Sequence, residues 1–143
     1  PDPTLWYPTH HFMDAMNELS GQGHLMSNLA FIGIEACKRF PAIPNNNAPT
    51  LWDALMFWET VYLTAHRHYK EGEMGNIRAE KISETHYKTF LTDLYPDHFS
   101  YGIAYQLSRR YMPKDIACKV IYDPAFPTRD DYGGEVTVID FSW

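Results

Sequence analysis

"LWDALMFWETVYLTAHRHYKEG", residues 51–72, is an almost unbroken apolar run that closes on His66, Arg67 and His68. At about 100° per residue, Leu51, Leu55, Trp58, Tyr62, Ala65 and Tyr69 fall on one line in alternating steps of four and three, the core-facing seam of a helix. Asp53, Thr60, Thr64, Arg67 and Glu71 lie opposite on a narrow strip, because Met56, Phe57, Val61 and Leu63 make the flanks apolar as well. A helix of this kind is predicted to be buried over most of its surface. Thr50, with Asp53 three residues on, supplies its start signal.

The His-x-His at its end raises the question of a metal. On the helix His66 stands roughly 60° from the seam and His68 about 160° around from His66, so the two cannot share an ion while the helix holds. A helical zinc pair needs H-x-x-x-H, and no such pair occurs. No metal site is expected. His66 itself, one turn from Tyr62 and two turns from Glu59, reads either as a hydrogen-bonded core-edge histidine or as a group that meets a ligand.

Outward from this helix the chain keeps its helical character. Thr9 stands as an N-cap before "HHFMDAMNELS", with Phe12, Met13, Met16 and Leu19 at helical spacing and Gly21 and Gly23 ending the pattern. A second helix is predicted from about His24 to Phe40 on Leu25, Leu29, Ile32, Ala36 and Phe40, stopped by Pro41. After Gly72 and Gly75 the period changes. "ISETHYKTFL" sets Glu84, His86 and Lys88 against Thr85, Tyr87, Thr89 and Leu91, a strand with one wet face. "YPD" at 95–97 breaks the chain, Asp97 can cap, and Phe99, Ile103, Leu107 and Tyr111 form the stripe of a fourth helix ending before Pro113. "DIACKVIYD", with Ile116, Cys118, Val120 and Tyr122 on one face, and the β-branched "EVTVIDFSW" make a terminal hairpin around a loop rich in Pro, Gly and Asp. Segregated helices and strands give an α+β domain: about four helices packed on a small antiparallel sheet, closed by a C-terminal β-hairpin.

Composition bounds the function. The 143 residues suffice for a single domain with one core, and 45% hydrophobic with 15% aromatic residues marks a packed globular chain. The formal charge of −6, with scattered basic residues, argues against nucleic acid as a partner. No window reaches roughly 18 apolar residues, so no membrane span is predicted. Cys37 and Cys118 lack a C-x-x-C spacing and read as two reduced, buried thiols in a cytoplasmic protein. The chain starts at Pro1 without an initiator Met, which leaves a targeting segment open.

Motifs for other chemistry are missing. No glycine-rich phosphate loop follows a strand, and no G-x-S-x-G turn occurs. "TRDD" at 128–131 reads as a solvated turn with local salt links in preference to catalytic carboxylates, and His98 reads as surface. No catalytic residue is assigned. The excess of aromatic and Met side chains is either plain core or the wall of an apolar ligand pocket.

Trp6-Tyr7-Pro8 before the first helix, Gly33 in the second, Tyr62, His66, Arg67 and Gly72, "LYPDHFSYG" from Leu94 to Gly102, and the run from Gly133-Gly134 to Trp143 together carry a family likeness. In these the chain resembles bacterial domains of the haem-nitric-oxide-binding and 4-vinyl-reductase superfamily. The resemblance implies a small α+β module, found in signalling proteins, that binds small molecules in a pocket between helices and sheet, or dimerises. The haem-propionate clamp of that family is Y-x-S-x-R, whereas this chain has Tyr105-Gln106-Leu107-Ser108-Arg109, and only Cys118 stands where a zinc-binding cysteine cluster is expected.

The expected function is therefore a non-enzymatic small-molecule-binding or sensor-type domain for a small apolar or aromatic ligand. Its pocket is expected between the third and fourth helices and the sheet, lined by Trp58, Tyr62, His66 and Tyr105, with Arg67 nearer the wet edge. Two alternatives stand beside it: an assembly subunit, as a homodimer or with another protein, and a haem protein with a His axial ligand, which is not favoured.

Overall fold

The computed structural model describes Asp2, residues 5–20 and residues 26–143. Among these residues five helices and four strands follow in the order α1 (Thr9–Ser20), α2 (Met26–Lys38), α3 (Leu51–Thr64), β1 (Ile77–Ser83), β2 (His86–Leu91), α4 (Asp97–Tyr111), β3 (Lys119–Tyr122), α5 (Arg129–Tyr132) and β4 (Thr137–Ser142). The predicted α+β class holds. The glycines expected to end α1, and the His24 and Leu25 start of the second helix, lie outside the described residues.

All strand pairs are antiparallel in the order β1-β2-β4-β3. The alternation read in β2 fixes which face is dry: Tyr87, Thr89 and Leu91 are buried and lie opposite Phe141, Ile139 and Thr137 of β4. The segment from 82 to 91, read as a strand or a hairpin, holds the end of β1, a turn and β2, and β1 is the edge strand of that hairpin. Its burial is slight after Ile77, so it has almost no two-residue pattern to read. The terminal hairpin pairs β3 with β4 as expected. Ile116 does not join β3: it is 39% exposed and sits in a turn closed by its N–H on the Pro113 carbonyl.

Helices α3 and α4 cover the dry face, α2 packs on α4, and α1 lies beside α2. Leu51, Leu55, Trp58 and Tyr62 are buried as the seam requires. The start of α3 is a reciprocal cap, in which the Asp53 N–H donates to Thr50 Oγ1 and the Thr50 N–H donates to Asp53 Oδ2 at 2.8 Å. Its end differs from the sequence reading: the helix stops at Thr64, so Ala65 and Tyr69 are exposed and His66 and His68 are not helical. Thr64 Oγ1 turns back onto the Thr60 carbonyl, and His68 takes the left-handed φ of 61°, which no helix continues through.

Where α2 crosses α4 the backbones nearly touch. A Cβ on Gly33 would stand 2.1 Å from the Phe99 carbonyl oxygen, and one on Gly102 would stand 2.0 Å from that of Ala30. Only residues without a side chain permit this approach.

Candidate functional site

Trp58, Tyr62 and His66 come together, as the sequence suggested, in a cavity of about 220 Å³. Val61 and Ala65 of the same segment join them, Ala36 of α2 and Phe40 just beyond its end close it, with Phe99 and Ile103 from α4 and Phe12 from α1. The cavity thus lies among the helices, and no sheet residue lines it. Helices whose apolar faces are too wide for one neighbour leave such a gap where three of them meet.

Its polar groups are few and satisfied. His66 Nδ1 is 2.7 Å from the Tyr62 carbonyl, which can only accept, so Nδ1 carries the proton. In the neutral ring Nε2 then accepts from the Tyr95 hydroxyl at 2.8 Å. Tyr62 donates its hydroxyl proton to the Met74 carbonyl at 2.8 Å and accepts from the Leu94 N–H. Burial pushes the Tyr62 hydroxyl up to about 12 and the Tyr95 hydroxyl higher still, so both stay protonated. Tyr95 is also clasped by rings, its centroid 5.6 Å from Tyr62, 5.7 Å from Phe12 and 4.9 Å from Phe99.

The other two expected residues stand apart. Tyr105 is 39% exposed and borders a separate cleft with Ser108, Arg109 and Cys118. Arg67 lies in solvent with its guanidinium 3.6 Å above the Trp6 ring, a cation–π contact.

Sequence reading missed Tyr95, which sits in the "YPD" break and reaches His66 across 29 residues. It also misjudged "TRDD". Arg129 points inward with a side chain 16% exposed, its Nε and an Nη both bonding Asp97 Oδ1 and the other Nη bonding the Asp93 carbonyl. Asp97, expected as a cap, is instead the first residue of α4, with its other oxygen accepting the Asp130 N–H. Desolvation raises Asp93 to about 6 although Arg129 pulls it down. His98 is not at the surface: its side chain is 16% exposed, with Nδ1 3.0 Å from the Tyr122 hydroxyl and Nε2 3.5 Å from Asp131. Asp93, His98, Arg129, Asp130 and Asp131 line a second, polar cleft of about 510 Å³ that also meets Tyr95.

The layered helices, the four-stranded antiparallel sheet and the terminal hairpin define an H-NOX-like fold. A structure from work probing haem distortion in the H-NOX family superposes with a TM-score of 0.67 at 13% identity, covering 99% of this chain and 74% of that one. A second, from work on haem redox potential and protein-induced porphyrin distortion, gives 0.64 at 12% identity over 99% and 79%. A point mutant of the T. tengcongensis H-NOX gives 0.60 at 14% identity; 87% of this chain covers 66% of that one. No family model and no curated protein matches the sequence. The likeness is one of fold.

Proposed function

We propose that this chain is a non-enzymatic small-molecule-binding domain that takes a neutral, single-ring or comparably small apolar ligand among its helices. The observation that carries the reading is the cavity, apolar on nearly every side, with its one imidazole already satisfied. An apolar lining favours an apolar guest, and a void of roughly 150 Å³ lined by such groups takes benzene or xenon. Charged ligands are disfavoured because nothing in the cavity repays their desolvation. A sensor role extends the same reading, drawing on the resemblance to signalling domains and on a solved structure of this fold from work on H-NOX activation. The 4-vinyl-reductase branch of the resemblance gains no support from the solved structures.

Haem, the subject of the work behind the first two of those structures, does not fit these residues. The cavity of about 220 Å³ is below the roughly 300–1,000 Å³ of pockets for larger ligands. Both nitrogens of His66 are engaged, whereas an axial ligand must offer one to iron.

Titration of ¹⁵N-labelled protein with benzene and p-cresol tests the reading: saturable shifts centred on Trp58, Tyr62 and His66 are expected. Shifts scattered over the surface, or a stoichiometric Soret band after incubation with haemin, would overturn it. A second reading, assembly through an apolar surface, draws on Phe31 and Met56, which are 60% and 54% exposed on α2 and α3. A monomer mass in equilibrium sedimentation removes that one. A cytoplasmic setting accords with two free thiols, of which Cys37 is pushed by burial up to about 12.

A further inference from the structure

The apolar cavity and the polar cleft of about 510 Å³ are neighbours, and Tyr95 lines both. Phe12 and Phe99 share the lining of the cavity with it, and Asp93, Asp130 and His98 share the lining of the cleft, where its carbonyl accepts from Arg129. Consecutive residues of α1 divide the same way, Phe12 facing the cavity and Met13 the cleft. The ring is held in place from three directions by Tyr62, Phe12 and Phe99, and its hydroxyl is held by His66 at 2.8 Å.

The geometry points to Tyr95 as the residue that sets ligand length: its ring is the partition that ends the apolar cavity, and His66 is the post to which that partition is fixed. The inference rests on the cavity being a ligand site. With the ring in place a guest cannot extend from the apolar compartment into the polar cleft. With it removed, the two spaces join and a longer guest can extend past the position of the ring. His66 then has a positioning role, since its tautomer is set by the Tyr62 carbonyl and its other nitrogen accepts from the Tyr95 hydroxyl.

A ladder of n-alkylbenzenes from benzene to hexylbenzene, titrated against the full chain by calorimetry, reads the partition directly. The wild-type protein is expected to bind the short members and to lose affinity abruptly once the chain outgrows the cavity. Tyr95→Ala is expected to move that break to longer chains, with a gain of about tenfold or more for the first member that wild type rejects. Tyr95→Phe keeps the ring but releases it from His66, and is expected to leave the break at the same member while making the fall in affinity more gradual. Tyr95→Leu serves in place of the alanine variant should that fail to fold. Binding of the ladder with the same break in all variants would overturn the partition and leave the cavity reading standing. No binding of any member to wild type would overturn both.

Discussion

At Arg129 one guanidinium meets the carboxylates of Asp97 and Asp93 and the carbonyls of Asp93 and Tyr95. Asp97 is fully buried and Asp93 nearly so, which makes the arginine the compensation for two desolvated acids. Arg129→Met should therefore lower stability by about 3–5 kcal/mol, the range for breaking a buried ion pair from one side, read by urea denaturation at pH 7. Asp93 supplies the complementary test. Its folded value of about 6 lies above the ordinary 3.8, so the folded state holds the proton more tightly. The contribution of this group is present in full below its unfolded value and is lost as pH rises through about 6. Asp53 and Asp123 are shifted the other way, by the Thr50 backbone and by Lys88, and lose their contribution as pH falls into the acid range. The comparison is therefore between variants: from pH 4 to pH 7 wild type should lose stability relative to Asp93→Asn, and parallel curves would refute the assignment.

The crossing of α2 over α4 is the place where a single methyl has most effect on an element. Gly33→Ala sets a Cβ against the Phe99 backbone and Gly102→Ala sets one against that of Ala30, and neither backbone can swing aside as a side chain can. Each should cost about 1–3 kcal/mol or more, and the double variant should cost less than the sum, because once the helices have separated for one methyl the second fits. At the start of α3, Thr50→Ala should cost about 1 kcal/mol through the lost cap, seen as a lower thermal midpoint. The seam Leu51, Leu55, Trp58, Tyr62, this cap, and the alternation of β2 were all legible in the sequence, because each is a local pattern repeated along one element. β1 was not, since an edge strand with one firmly buried residue carries no pattern. Nor was the end of α3, which is decided by a left-handed His68 and by His66 turning onto Tyr62 and Tyr95.

For the molecule as a whole, three members of the cavity wall could be read and two of the expected five belong elsewhere. Trp58, Tyr62 and His66 lie along one segment and share a side; Tyr105 sits on α4 away from it, and Arg67 is drawn off by Trp6. Tyr95 and Arg129 were hidden because their partners are about 30 residues distant and their own surroundings look like turns. An unfilled cavity also has an energetic signature. Ala36→Leu places new methyl groups in it, and cavity filling commonly adds about 0.5–2 kcal/mol. The expected result is a higher thermal midpoint together with loss of benzene binding; a destabilised protein that still binds would show the space to lie elsewhere.

The Arg129 knot joins the last loop of the chain to the start of α4, more than 30 residues back, and forms only where the β3–β4 hairpin has been laid beside β2. Contacts of that reach close late in folding. Weakening the knot should therefore leave the refolding rate almost untouched and put nearly all of the lost stability into faster unfolding, so that a chevron plot of Arg129→Met shifts on its unfolding limb alone. The lifetime of the native molecule, as distinct from the ease of reaching it, rests on one side chain of a four-residue helix.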